Sequence, residues 1–70
     1  MTLLERAGLA LYGSECWRSQ LRADLELHPR TFRRMVQDDG AVPAGVRRDV
    51  EQILRDRVLA LDALLLELVD

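Results

Sequence analysis

From Ala44 to the end of the chain, nothing interrupts a helical pattern, since the last proline is Pro43 and the last glycine Gly45. About 26 residues of helix span roughly 39 Å at 1.5 Å per residue, longer than a body built from the rest of the chain can cover. Within 58–69 only Asp62 and Glu67 are not apolar. Leu54, Val58, Leu61, Leu65 and Leu68 step by four and three, the seam of a coiled coil, and Leu59, Leu64, Leu66 and Val69 add apolar surface on other sides. A helix apolar almost all round is buried on several sides. The expectation is one face against the first two helices and another against a second copy, a homodimer burying about 800 Å² per partner. A helix lying on a membrane would carry a basic polar face, and this one is acidic. Asp62 and Glu67 also break the run that a membrane span requires, so no membrane partner is expected.

The rest of the composition supports a partner subunit. A chain of 70 residues and 8.0 kDa buries only about 60% of its unfolded surface and is marginal alone. One Cys and one His leave no internal disulfide and no Cys/His zinc site. Neither metal nor cofactor is expected, and there is no room for a ligand-sensing domain, so no small-molecule ligand is expected either. With one Phe, one Trp and one Tyr, there is little material for a multi-stranded sheet, which favours an all-α fold. Glu5 and Arg6 interrupt any secretory core near the start, and a lone Cys16 fits a reducing compartment, so the expected location is cytoplasmic.

Four helices are expected, over about 2–12, 15–25, 29–37 and 44–69. Thr2-Leu3-Leu4-Glu5 has the form of a capping box, and Leu4, Ala7 and Leu11 recur at helical spacing before Gly13. Ser14 is placed to N-cap the second helix, in which Trp17, Leu21 and Leu25 form one apolar edge. Cys16 reads as a small hydrophobe and Tyr12 and Trp17 as core. Pro29 suits the first position of the third helix, and Asp38-Asp39-Gly40 stops it. The domain reading is a single unit: a core over 1–43, with a helix-turn-helix segment over about 15–37, and a dimerisation helix over 44–70.

Charge is unevenly placed. Residues 16–48 hold seven Arg against four acids, whereas 49–70 hold two against six, and there is no Lys anywhere. On a wheel of the third helix, Phe32, Met35 and Val36 fall on one side and Arg30, Arg33, Arg34 and Gln37 on the other. Guanidinium fits phosphate and the O6/N7 edge of guanine, and Gln fits adenine. A solvated face usually mixes signs, and this stripe contains no acid. Arg18 and Arg22 are placed for phosphate contacts at the second helix. Arg47 and Arg48 are placed either to clamp the backbone or, for Arg47, to pair with Glu51. Ser14, Ser19 and His28 lack the neighbours of a nucleophile or metal site, so no enzyme is expected.

The stretch from Ser19-Gln20-Leu21-Arg22 through Leu27-His28-Pro29-Arg30-Thr31-Phe32-Arg33-Arg34-Met35 resembles the helix-turn-helix of small phage and bacterial regulators of the Cro/XRE, lambda-repressor-like type. Leu21, Leu25, Arg30, Thr31, Arg33 and Arg34 match the pattern L-A-x-x-L-G-V-S-x-R-T-V-R-R-W directly, and Leu27, Phe32 and Met35 match in apolar character. The likeness covers about residues 9–45. Glu26 stands at the turn position usually held by Gly and would need a positive φ there. His28 replaces the usual Ser cap, and Arg22 a small Ala.

The resemblance implies a major-groove recognition helix over 29–37 that brings Arg30, Thr31, Arg33, Arg34 and Gln37 to double-stranded DNA, with Arg18 and Arg22 beside it. It also implies a phage, prophage or mobile-element source, including regulators that accompany anti-CRISPR genes. The function expected is a dimeric transcriptional repressor, often of its own promoter, on a palindromic operator. The alternative is a small protein-binding module, an adaptor, inhibitor or antitoxin, acting through the leucine-rich last helix.

Overall fold

The computed structural model describes residues 1–69 as four helices and a short 3-10 turn, with no strand among them. Helix α1 is Leu3–Tyr12, α2 is Trp17–Asp24, α3 is Pro29–Gln37 and α4 is Ala44–Val69. The expected capping box is present at α1: the Thr2 hydroxyl accepts from the Glu5 amide, and the Glu5 carboxylate accepts from the Thr2 amide. Gly13, at φ 84°, ends α1, its amide donating to Leu9 at 3.0 Å.

Helix α2 departs from expectation at its start. It begins at Trp17 rather than near residue 15, and its N-cap is Cys16, not Ser14. The Cys16 carbonyl accepts both the Gln20 amide and the Ser19 hydroxyl. The Cys16 side chain stands in solvent, not among the apolar groups, because the N-cap lies off the helix face that packs. Trp17 is buried as expected.

At the other end of α2, Glu26 has φ 54°. Its amide donates to Ala23 and the next one, of Leu27, donates to Arg22. These paired bonds form the Schellman closure of a helix, built here on a residue with a Cβ. The chain then turns straight into α3, where His28 Nδ1 accepts from the Arg30 amide at 3.2 Å and Pro29 takes the first position.

After α3, Asp38 accepts from the Gly40 amide and closes the 3-10 turn Asp39–Ala41. Asp39 Oδ1 accepts from the Leu3 amide at 2.8 Å, tying the turn to the start of α1. Arg47 donates to the Asp39 carbonyl at 3.1 Å, and Glu51 pairs with Arg55 at 3.6 Å, so the expected Arg47–Glu51 pair does not form.

The core gathers Leu4, Leu21, Phe32, Met35, Val36 and Val50 around Trp17. Helix α4 reaches it with Val50 and, partly buried, Val46, Ile53 and Leu54, packing on α1; α2 is seated on α1 through Trp17 over Gly8. Arg57 fastens the junction, donating to the Leu11 carbonyl at 2.9 Å with its guanidinium carbon 5.9 Å from the centre of the Tyr12 ring. Beyond it α4 stands clear of the body, and the molecule measures 46 × 26 × 21 Å. Asp70, expected to end this helix, lies outside the described residues.

Candidate nucleic-acid interface

Helix α3 is divided as its periodicity predicts. Phe32, Met35 and Val36 are 4–5% exposed and anchor it, while Arg30, Thr31, Arg33, Arg34 and Gln37 all stand in solvent. Among the described residues the one ion pair is Glu51–Arg55, so the three guanidiniums of α3 have no carboxylate partner. Unneutralised, they leave a positive face on a helix held rigidly by its opposite side.

Helix α2 supplies the other wall. Arg18, Ser19 and Arg22 join Pro29, Phe32 and Arg33 around an open groove of about 250 Å³. The structure thus brings three of the expected arginines, Arg18, Arg22 and Arg33, to one concavity between α2 and the start of α3. Their readiness differs. The Arg18 guanidinium carbon sits 4.7 Å from the centre of the Trp17 ring, a cation–π contact that holds the cation to the body. Arg22 is half-buried and donates to the Leu27 carbonyl at 3.2 Å, so part of its donor capacity goes to the turn. That bond explains how the turn accommodates Arg at a position where the resemblance leads one to expect Ala. Arg47 is drawn toward the 3-10 turn, and Arg48 is exposed.

One structural contributor escaped the sequence reading. Ser19 lines the groove while its hydroxyl is held by Cys16; its place one turn after the N-cap was the available signal. His28, expected in place of the usual Ser cap, does cap α3, its ring nitrogen accepting from the Arg30 amide.

The expected seam of α4 is only partly free. Val58, Leu61, Leu65 and Leu68 are 52–82% exposed, whereas Leu54 is half-buried against the chain's own core. No group of three or more His, Cys, Asp or Glu that could hold a metal is found among the described residues, and no helix of these residues is long and apolar enough to cross a membrane. The chain matches no family model, and no curated protein or solved structure is significantly similar to it.

Proposed function

We propose that this protein is a sequence-specific, double-stranded DNA-binding transcriptional regulator of the Cro/XRE type. It acts as a two-fold dimer that occludes a promoter with a palindromic operator. The observation that carries this reading is the unpaired guanidinium face of α3, displayed by a helix that follows α2 through a four-residue turn, residues 25–28. Arg30, Arg33, Arg34 and Gln37 reach base edges and nearby phosphates, with Thr31 at the flank. Arg18, and Arg22 with its remaining donors, hold the backbone from α2. The exposed seam of α4 joins two copies so that two such helices address successive major grooves. No catalysis belongs to this reading.

The test is fluorescence anisotropy with duplex DNA from immediately upstream of the protein's own gene, against a scrambled duplex, at two salt concentrations. The reading expects preference for the native duplex and an affinity that falls steeply with salt, because each neutralised phosphate releases counterions. Equal, weak binding to both duplexes would leave the arginines of α3 as a solvated face. The second reading, a protein-binding module, is favoured by the eight large apolar residues exposed between Val58 and Val69. It expects tolerance of charge removal at Arg33 and Arg34 and a heteromeric complex through α4.

A further inference from the structure

Val58, Leu61, Leu65 and Leu68 extend outward the same edge of α4 that carries Leu54 into the core. The surface they need is the kind Leu54 already has, the apolar face of another helix, and an identical tail supplies one with a matching stripe. Eight large apolar residues stand exposed along this one helix, the kind of clustered apolar surface that marks an interaction site. We infer that the second copy lies antiparallel along α4, in the one register that sets Arg55 beside the partner's Asp62. This rests on the dimer reading above and adds orientation and register to it.

A seam of this spacing pairs in two directions, and the charges flanking it distinguish them. A parallel pair brings Asp62 beside the partner's Arg57. That arginine is already engaged, donating to Leu11 at 2.9 Å and lying over Tyr12. Arg55, in contrast, is exposed and meets only Glu51, at 3.6 Å.

Antiparallel helices set each first-seam position against a fourth-position residue of the other copy, and two registers give a long overlap here. In one, Val58 faces the partner's Leu68, Leu61 faces the partner's Leu65, and Asp62 meets the partner's Asp62 beside an apolar seam. Like charges so placed oppose the pairing. In the other, Leu54 faces the partner's Leu65 and Val58 faces the partner's Leu61. Arg55 then stands beside the partner's Asp62, twice by symmetry. This register also covers the exposed side of Leu54 and lays Leu68 over the aliphatic stems of the partner's Glu51 and the partner's Arg55.

Geometry adds a functional consequence. In this register Val50 and the partner's Val50 are roughly 28 Å apart along the helices at 1.5 Å per residue, so the two bodies sit at opposite ends of the pair. That is the scale of the ~34 Å between half-sites one DNA turn apart. A parallel pair would set both bodies side by side at one end.

The experiment uses the full chain with Cys16→Ser and Arg48→Cys, spin-labelled at the new cysteine, with sedimentation equilibrium on the same samples. The favoured register expects a dimer whose labels are roughly 35 Å apart along the axis. The other antiparallel register gives roughly 45 Å, and a parallel pair less than about 20 Å, on the same helical rise and interhelical spacing. A second arm measures dimer dissociation for Arg55→Asp, Asp62→Arg and the double variant. Each single change weakens the dimer about tenfold and the double change restores it to within about twofold, by exchange of the charges across the interface. The two positions lie seven residues apart on one helix, too far to rescue each other within a chain. A monomer at labelling concentration overturns the dimer reading and this inference together. A dimer with short or ~45 Å separations, or a double variant that stays weak, overturns this inference alone.

Discussion

Gly8 of α1 lies directly under the ring of Trp17: a Cβ at that position would overlap Cε3 and stand 2.9 Å from Cδ2. The ring has nowhere to go, being 6% exposed and set 6.4 Å, centre to centre, from Phe32. Ala is better than Gly in a free helix by about 1 kcal/mol. Overpacking a filled core costs about 1–3 kcal/mol, and here that penalty dominates. Gly8→Ala is therefore expected to lower the urea midpoint, followed by the fluorescence of the chain's one Trp. A midpoint raised or unchanged would show that Trp17 can shift.

Glu26 presents the opposite case, a side chain where glycine is preferred. A left-handed L-residue costs roughly 1–2 kcal/mol, and the extra freedom of Gly in the unfolded chain returns about half of that. Glu26→Gly is expected to stabilise the protein by about 0.5–1 kcal/mol, read from the same urea transition. The closure bonds from Glu26 and Leu27 stay as they are. A lower midpoint would mean that the Glu26 carboxylate makes a favourable interaction outweighing the strain.

Those two positions show what was and was not legible in the sequence. Periodicity, Pro29 and Gly13 are local signals, and apart from the start of α2 the helices they mark are where they were expected, including a turn that forces Glu26 to positive φ. The division of α3 into buried and exposed faces follows from spacing alone. What escaped was contact between distant parts of the chain. Leu3 and Asp39, 36 residues apart, share a hydrogen bond, and so do Arg57 and Leu11, 46 apart. Nothing in the residues near Gly8 announces Trp17 above it. Ser14 was misplaced as a cap for a related reason, since Ser, Cys and Gly around a turn each allow a helix to start, and the burial of Trp17 chose the later point.

Tyr12 offers a titration with a single reporter, because it is the chain's one tyrosine. Burial, followed by the hydrogen bond its hydroxyl donates to Asp24 and the charge of that carboxylate, pushes its pKa up from 10.0 to about 12, against the opposing pull of Arg57. The folded protein therefore holds this proton more tightly than the unfolded chain. The resulting stability is fully present below the unfolded value near 10.0 and is lost as pH rises through about 12. Tyrosinate absorbance should show a midpoint near 12. Tyr12→Phe should be less sensitive to pH across that window. A midpoint at the ordinary phenol value would mean that the Tyr12–Asp24 bond is open in solution.

The arginines of the interface should separate by what they already hold. Arg33 and Arg34 stand exposed without carboxylate partners, so Ala at either is expected to cost about 1–3 kcal/mol of DNA affinity where it reads a base, with the urea midpoint unchanged. Arg22 supports the turn through the Leu27 carbonyl. Arg22→Ala is expected to lower stability by about 1 kcal/mol as well as weaken binding, because a charged donor to that carbonyl is lost. Arg18→Ala removes a proposed phosphate contact and should weaken native and scrambled duplexes alike, reducing the salt slope by about one. Anisotropy titrations at two salt concentrations, paired with urea melts of each variant, separate these outcomes. Full retention of affinity in both Arg33→Ala and Arg34→Ala would remove α3 from the proposed interface and direct attention to the tail of α4.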